Sequence, residues 1–504
     1  MRSTGVGAAL GLLAYLGALL LIRQPWKACL VGSVGVLVFF SYGHVYHALK
    51  WVVIADQTIG RHRLLLPLLA VAGLVFLARV RASKASGRGV FEVLAAVSLV
   101  ALLPPTAQVL SHEVRTQSIA QAPGVSAAAD PALQVLSSAP EARPDIYFIL
   151  LDGHAREDVI HEYFGDPDYA FPATLESLGF VVADEARSNY LRTILSVSAT
   201  LNMEYLEDLP LDLRDPDYQV GLADALAHSR VRSMLERLGY ITYALTSSYV
   251  PTEIVDADHY LAPDTSGLAT AEARWALTDF EELWLQQSLL VAWLDLQFQR
   301  GTSAAAFLQR GLEHAKDARR EVVLSGLANL EAGPTFPGPK FVFVHLVSPH
   351  YPYLFDADGL SVNYPTPTTF ADKQVLPGQE TWPRYRDQMR FLDREIARIV
   401  ADLVRESPVE PVIMIQSDHG PATNFDRAAP TSLALFNRSA ILSAVYLPER
   451  CRQDYYPSIS SVNTFRIVLN CLFAAGMPMV PDRSYLDLEE GRGVTLIPFE
   501  DVFP

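Results

Sequence analysis

Four long apolar segments fill the first hundred residues of this 504-residue chain, at Gly5–Ile22, Ala28–Leu49, Leu64–Ala78 and Val90–Leu103. An uncharged run of about 18 residues can cross roughly 30 Å of hydrocarbon as a helix, and a helix satisfies its own backbone polar groups there. The sequence therefore predicts an anchor of about four membrane-spanning helices. A cleaved signal peptide is the alternative for the first run, but no small-residue cleavage site follows it, and further apolar runs do.

The orientation of this anchor is predicted from the basic residues that flank the apolar runs. Six of them lie in the loops after the first and third runs: Arg23, Lys27, Arg79, Arg81, Lys84 and Arg88. Four lie on the opposite side: Arg2, Lys50, Arg61 and Arg63. The positive-inside rule places the side with more basic residues in the cytoplasm. We therefore expect a multi-pass protein of the plasma (inner) membrane whose C-terminal part is extracytoplasmic.

The composition divides the chain into three parts. Residues 1–106 form the predicted anchor, residues 107–143 are rich in Ala, Ser, Pro and Gln and predict a linker, and residues 144–504 have the pattern of a globular domain. The net charge of -16 argues against a nucleic-acid partner. Three cysteines (Cys29, Cys451 and Cys471) do not make a disulfide framework, and the pairing of the last two stays open.

Five short apolar runs in the globular part predict buried strands: Asp145–Gly153, Tyr240–Ser248, Lys340–His350, Pro411–Gly420 and Ser443–Pro448. Most are continuously apolar, as burial of both faces in a parallel sheet requires. Helical patterns at Arg230–Gly239 and Tyr385–Glu406 precede two of them. This alternation predicts an α/β fold with a mainly parallel central sheet between helices.

The segment Glu282–Phe298 has a separate amphipathic pattern, "ELWLQQSLLVAWLDLQF". A core helix of the globular domain is the simpler interpretation. A helix lying on the membrane surface is the alternative.

Polar groups stand where three of the predicted strands end. Asp152 follows the first, His345 and His350 lie in and after the third, and Asp418–His419 follow the fourth. The functional crevice of an open α/β sheet lies beyond the carboxyl ends of its strands. Gly420 and Pro421, which come next, permit the chain to leave the sheet there. Two carboxylates and an imidazole favour Zn²⁺ or Mn²⁺ over Ca²⁺.

A hydroxyl nucleophile is predicted in "NYLRTILSVSATLNMEYL", residues 189–206. A helix is expected to begin near Thr193, since Ile194, Val197 and Leu201 have helical spacing. A helix N-terminus attracts anions, and a metal ion can activate a hydroxyl. Thr193 and Ser196 supply hydroxyls at this position. An ordinary threonine cap is the alternative.

Four motifs together resemble a known family: "PDIYFILLDG", "NYLRTILSVSATLN", "HLVSPHYPY" and "SDHG". In this order they resemble the sulfatase-like branch of the alkaline phosphatase superfamily. With the apolar helices in front, the plan is similar to lipoteichoic acid synthase and the phosphoethanolamine transferases. The resemblance implies a sulfatase-like catalytic domain that follows a membrane anchor.

The resemblance also implies roles for individual residues. It implies one divalent metal ion, Mn or Zn with Mg or Ca less favoured, held by Asp152, Thr193, Asp418 and His419. Thr193 would also be the nucleophile, and His350 would contact the transferred group or the leaving oxygen. Lesser candidates for substrate binding are His345, Ser196 and Arg438.

Two departures from the family pattern argue against the reaction of a classical sulfatase. Classical sulfatases have a second acidic residue directly after the first, and here that position is Gly153. No cysteine or serine stands in the C/S-x-P-x-R motif that classical sulfatases modify. A classical sulfatase is therefore not expected.

The leading hypothesis is a membrane-anchored transferase that moves a phosphoglycerol- or phosphoethanolamine-type group. The donor would be a membrane lipid, the acceptor a cell-envelope glycan or lipid, and the intermediate a phosphothreonine. A sulfatase-like hydrolase of phosphate or sulfate esters is the first alternative. A metal-free binding module of the cell envelope is the second.

Overall fold

The computed structural model describes residues 2–50, 52–54, 57–121, 143–263, 279–362, 382–422, 425–490 and 493–499. These residues form two compact units. The helical unit comprises the described residues of Met1–Ser111 and Leu268–Ala315. The sheet unit comprises those of His112–Gly267, Lys316–Asn363 and Leu376–Pro504.

Long apolar helices dominate the N-terminal part of the helical unit. They are α1 (Arg2–Ile22), α2 (Pro25–Leu49), α3 (His62–Ala82) and α4 (Arg88–Gln121), with the short strands β1 (Val53–Ile54) and β2 (Gln57–Thr58) between α2 and α3. Among the described residues, α1, α2 and α3 are long and apolar enough to cross a membrane. The fourth predicted span, 90–103, forms part of α4. Helix α4 continues to Gln121, within the stretch 107–143 for which a linker is predicted, and residues 122–142 lie outside the described residues.

The amphipathic segment predicted as one helix is two helices, α10 (Asp279–Gln287) and α11 (Leu290–Arg300). They are followed by α12 (Ser303–Glu331). Both α10 and α11 belong to the helical unit. Val291, Leu294 and Phe298 of α11 pack in one cluster with Tyr42 and Tyr46 of α2.

A seven-stranded sheet organises the other unit. Its strands are β3 (Ile146–Leu151), β4 (Val181–Val182), β5 (Ile241–Leu245), β6 (His259–Leu261), β7 (Lys340–Leu346), β8 (Val412–Gln416) and β9 (Ser443–Tyr446). The spatial order is β4-β9-β8-β3-β7-β5-β6. The pairs from β8 to β6 are parallel, whereas β9 is antiparallel to both β8 and β4. The predicted α/β class and all five predicted strands are confirmed, and the short edge strands β4 and β6 were not predicted.

Helices complete the sheet unit. They are α5 (Glu157–Glu162), α6 (Phe171–Ser177), α7 (Thr193–Asn202), α8 (Tyr218–Ala227), α9 (Arg230–Arg237), α13 (Trp382–Glu406), α14 (Ser432–Ser439) and α15 (Ser461–Phe473). A hairpin of β10 (Ser484–Glu490) and β11 (Gly493–Phe499) follows them.

The continuous apolar runs of the central strands follow from burial on both faces. Every residue of β3, β7 and β8 is buried. On one face Phe148 packs against Phe465 of α15, with ring centroids 5.1 Å apart. On the other face the Tyr147 ring lies against Gly333. A one-residue shift in register would exchange the two faces, so the core also holds the strand ends in register.

A disulfide joins Cys451 to Cys471 within the sheet unit, across 20 positions of sequence, and Cys29 is free. The pairing that the sequence left open is therefore made in the structure. Cys451 is buried in the apolar core.

We predict that replacing both Cys451 and Cys471 by Ser lowers the free energy of unfolding of the sheet unit. Loss of a cross-link that closes a loop of this size costs about 3 kcal/mol, because the unfolded chain gains freedom. Thermal unfolding of the purified full chain in detergent measures the effect, with Cys29→Ser as the matched control. Maleimide labelling of the denatured, unreduced protein should modify one thiol, and modification of three would contradict the pairing.

Candidate metal centre and nucleophile

The sheet register brings two carboxylates to the same level. Leu150 of β3 is paired with both His345 of β7 and Gln416 of β8. Asp152 and Asp418 each lie two residues beyond this level, at the carboxyl ends of neighbouring parallel strands. Both are buried.

Glycines shape the turns in which the two carboxylates lie. Gly153 has a φ of +74°, a conformation that residues with a Cβ adopt only at a cost. Its N–H donates to Asp418 Oδ1 at 3.1 Å, and the N–H of His419 donates to the same oxygen at 2.9 Å. A Cβ at Gly420 would stand 2.0 Å from the Asn437 carbonyl oxygen. The chain thus leaves β8 in a turn in which Asp418 and His419 face one point.

Four side chains meet at this point. Ligand atoms of Asp152, Asp418 and His419 all lie within 4.8 Å of one another. His419 Nε2 is 3.1 Å from Asp418 Oδ2 and 3.8 Å from Asp152 Oδ1. The Thr193 hydroxyl oxygen is 3.2 Å from the same nitrogen. The structure therefore brings together all four residues that the resemblance assigned to the metal.

Hydrogen bonds around His419 favour the tautomer that a metal ligand needs. Its Nδ1 lies 3.0 Å from the Gly420 carbonyl oxygen, which can only accept, so Nδ1 carries the proton. The lone pair is then on Nε2, the atom that faces the two carboxylates. Burial lowers the pKa of His419 well below its usual value, which keeps the ring neutral. Metal-bound histidines are commonly held in this way.

Two buried carboxylate oxygens at the cluster have no hydrogen-bond partner in the part of the chain that the structure describes. They are Asp152 Oδ1 and Asp418 Oδ2. Burial first, and then the nearby Asp152 carboxylate, raise the pKa of Asp418 to about 6. Burial would also raise the pKa of Asp152, but the charges of the histidines near it, His350 first, hold that pKa below its usual value. Two unsatisfied oxygens beside a free imidazole lone pair fit a divalent cation, which would remove their mutual repulsion.

Thr193 begins helix α7. It is the first helical residue rather than the cap, because Arg192 occupies the N-cap position without a side-chain cap bond. Every residue of α7 is buried. The helix N-terminus therefore presents Thr193 to the cluster in fixed geometry, with the positive end of the helix dipole behind it. Ser196 is one turn further along, and its hydroxyl is buried with no partner among the described residues.

The two histidines of the third predicted strand occupy different positions. His345 lies within β7, accepts or donates a bond with the Thr252 hydroxyl at 2.8 Å, and places Nε2 3.4 Å from Asp152 Oδ2. It therefore orients Asp152 from behind and is fully buried. His350 follows the strand and is half-buried, with its ring centroid 6.4 Å from that of His419. His350 is thus placed to reach a bound substrate.

Arg438 uses two of its guanidinium nitrogens to bind backbone carbonyls. It is buried, and its Nε donates to the Leu191 carbonyl at 3.1 Å while Nη1 donates to the Gly420 carbonyl. Burial lowers its pKa to about 10. Because Leu191 is close in sequence to Thr193, and Gly420 follows His419, Arg438 ties the nucleophile segment to the metal-ligand turn. The predicted contact of Arg438 with substrate stays a prediction.

Sequence reasoning missed a buried polar group behind the site. His154 Nε2 lies 2.9 Å from Asp393 Oδ1 on α13, and the N–H of His154 donates to the Ser417 hydroxyl at 2.9 Å. These bonds join the turn after β3 to the turn after β8. Asp393 lies in the helix predicted at Tyr385–Glu406, and no local motif pairs it with a histidine 239 positions away.

No family model matches the sequence, and no curated protein matches it. Several solved structures are similar to it in structure, at low sequence identity. The integral membrane lipooligosaccharide phosphoethanolamine transferase A (EptA) from Neisseria meningitidis is 13% identical, over 92% of this chain and 86% of that one, with a TM-score of 0.41. The C-terminal periplasmic domain of EptC from Escherichia coli is 13% identical, over 72% and 93%, with a TM-score of 0.40.

A third overlap is with a protein of the alkaline phosphatase superfamily from Vibrio parahaemolyticus. It is 11% identical, over 74% of this chain and 86% of that one, with a TM-score of 0.38. These proteins belong to the groups that the sequence motifs resemble.

We predict that the affinity of the metal-free protein for Mn²⁺ falls below pH 6. Asp418 must be ionised to bind a cation, and its pKa of about 6 means that protons compete in this range. The dissociation constant should rise about tenfold per pH unit below pH 6 and level off above it. Electron paramagnetic resonance of free Mn²⁺ measures this after chelator treatment, with Asp418→Asn as the control that abolishes binding. An affinity that does not change between pH 5 and 7.5 would contradict the assignment.

We predict that Arg438→Lys destabilises the sheet unit by about 2–4 kcal/mol, because it leaves a buried carbonyl without its donor. Mn²⁺ affinity should fall with it, since the ligand turn loses its tie to the nucleophile segment. The matched control is Arg386→Lys, whose guanidinium also donates to a carbonyl, that of Gly165, but is exposed. Equal melting temperatures for the two variants would refute the role of Arg438.

Proposed function

We propose that this protein is a metal-dependent, membrane-anchored transferase of phospho-substituents that works through a covalent phosphothreonine. The observation that carries the proposal is the position of the Thr193 hydroxyl. It stands at a helix N-terminus, 3.2 Å from the free nitrogen of His419, and beside two buried carboxylates with unsatisfied oxygens. Neither a surface cap nor a simple structural ion pair requires this combination.

Asp152, Asp418 and His419, together with the Thr193 oxygen, would hold one divalent ion, with Mn²⁺ and Zn²⁺ the favoured candidates. When bound, such an ion lowers the cost of deprotonating a hydroxyl and offsets negative charge on a phosphoryl group.

The residues of the chain then divide the work of transfer. The deprotonated Thr193 oxygen forms a bond to phosphorus while the bond from phosphorus to the leaving alcohol breaks. His350 protonates the leaving oxygen, and the N-terminus of α7 stabilises the anionic phosphoryl oxygens. In the second half, His350 takes the proton of an acceptor hydroxyl, whose oxygen forms the new bond to phosphorus. The bond from phosphorus to Thr193 breaks, its electron pair returns to the Thr193 oxygen, and Thr193 is again deprotonated for the next cycle.

Other features support the membrane and compartment assigned here. Helices α1, α2 and α3 favour a multi-pass anchor in the plasma (inner) membrane. The disulfide between Cys451 and Cys471 favours an oxidising, extracytoplasmic location for the sheet unit. We infer that the donor is a membrane lipid and that the acceptor is a cell-envelope glycan or lipid. The net charge of -16 argues against a nucleic-acid partner.

We predict that the full chain, incubated with Mn²⁺ and a phosphodiester lipid such as phosphatidylethanolamine or phosphatidylglycerol, acquires a covalent adduct on Thr193. Mass spectrometry of the peptide identifies the site, and the added mass identifies the transferred group. Thr193→Ala should abolish the adduct and lower turnover of a phosphodiester reporter by roughly a thousandfold or more.

Thr200→Ala is the matched control, because Thr200 is buried in the same helix and its hydroxyl donates to the Ser196 carbonyl at 2.8 Å. Turnover by Thr193→Ala equal to that of Thr200→Ala would refute the nucleophile. Release of the group to water alone, with no glycan or lipid product, would identify a hydrolase instead. Absence of both metal binding and turnover would favour the binding module.

A further inference from the structure

Helices α10 and α11 carry an apolar surface that no described residue covers. Their exposed side chains, among those that the structure describes, are Phe280, Leu283, Trp293, Leu296, Gln299 and Arg300. Phe280 is 62% exposed and Trp293 is 49% exposed. We call the group of Phe280, Leu283, Trp293 and Leu296 the α10–α11 surface. In general, a patch of exposed aromatic and aliphatic side chains marks a surface that binds a partner protein or a membrane.

The opposite face of α11 is bound to the membrane-spanning helices. Asp295, the acidic residue of α11, is 1% exposed and turns away from the α10–α11 surface. It accepts bonds from His62 Nε2 at 2.9 Å, at the start of α3, and from the Tyr46 hydroxyl at 3.4 Å, in α2. The Tyr42 hydroxyl bonds the other nitrogen of His62 at 2.7 Å. The one carboxylate of α11 is therefore buried on the inner face of the helix. The outer face of α11 is apolar as far as Leu296, and the polar residues Gln299 and Arg300 follow at its C-terminal end.

These contacts place α10 and α11 at one end of the apolar spans. The residues of α2 that they touch lie in its second half. Leu289 donates its N–H to the Phe39 carbonyl at 2.7 Å, and Trp284 packs against Phe40 with ring centroids 5.3 Å apart. A Cβ at Gly43 would stand 2.2 Å from the Gln286 carbonyl oxygen, so α10 touches the backbone of α2.

Tyr and Trp side chains are concentrated at this level, as they are where spanning helices meet the lipid headgroups. Tyr42, Tyr46, Trp284 and Trp293 all lie in this part of the helical unit. Such aromatic belts mark the membrane interface. Arg300 at the exposed C-terminal end of α11 has the position from which a cation reaches headgroup phosphates.

We propose that the α10–α11 surface is inserted into the interfacial layer of the lipid bilayer that α1, α2 and α3 cross. The partner is the bilayer itself, because the surface continues from helices that are long and apolar enough to cross a membrane, and because the outer face of α11 is apolar. Of the two interpretations of the amphipathic segment, this favours the helix on the membrane. The proposal does not depend on the chemistry assigned to Thr193.

The test is a nitroxide label at position 293 in the full chain, reconstituted in nanodiscs of phosphatidylcholine and phosphatidylglycerol. The labelled variant is Trp293→Cys in a Cys29→Ser background. The matched control is Val409→Cys, which is also an exposed apolar residue, 42% exposed, but precedes β8 and so lies at the end of the sheet away from the site. Power saturation compares accessibility to oxygen, which concentrates in lipid, with accessibility to a water-soluble nickel chelate.

At position 293 oxygen should relax the label more than the nickel chelate does, and at position 409 the order should be reversed. Nickel accessibility at 293 equal to that at 409 would overturn the proposal. Poor access for both relaxants at 293 would also overturn it, since it would mean that protein, from a second copy or another partner, covers the surface. A second label in place of Leu296 guards against misfolding of the Trp293 variant, and both should show size-exclusion profiles like that of the parent.

Discussion

The site depends on two buried carboxylates that the parallel sheet forces together. Asp152 and Asp418 end neighbouring strands at the same level, and each keeps one oxygen without a hydrogen bond. Like charges in a buried environment oppose folding, so a site of this kind persists only if something offsets the repulsion. A divalent cation would do so, and the Nε2 atom of His419 and the hydroxyl of Thr193 are placed to complete its surroundings. The repulsion between the two carboxylates, which opposes folding, would therefore also be the source of the site's affinity for a metal ion.

Around this centre, hydrogen bonds between side chains and the backbone connect segments that are distant in sequence. Arg438 joins the carbonyls of Leu191 and Gly420, and the N–H of His154 donates to Ser417. A nucleophile and a ligand set that come from separate strands can react only if their distances are held, since small displacements cost much of the rate. These ties explain why buried charged and polar residues surround a site in an otherwise apolar core.

Part of the fold and site could be predicted from local patterns. The continuously apolar runs at 145–153, 340–350 and 411–420 indicated strands buried on both faces, and the strand ends indicated where Asp152, Asp418 and His419 lie. The short edge strands escaped prediction because two or three residues carry no periodicity. The bonds of Arg438 to the Leu191 and Gly420 carbonyls also escaped prediction, because backbone carbonyls leave no signal in the sequence.

The sequence by itself determined which segments enter apolar surroundings, which strands are buried on both faces, and which polar residues follow them. These are consequences of hydrophobicity and local spacing, which each segment carries alone. Only the tertiary structure decided that residues 279–300 fold with the N-terminal helices, that Asp393 supports His154, and that Cys451 meets Cys471. Such pairings depend on which of many apolar surfaces are complementary in shape, a property of the folded whole that no short stretch of sequence contains.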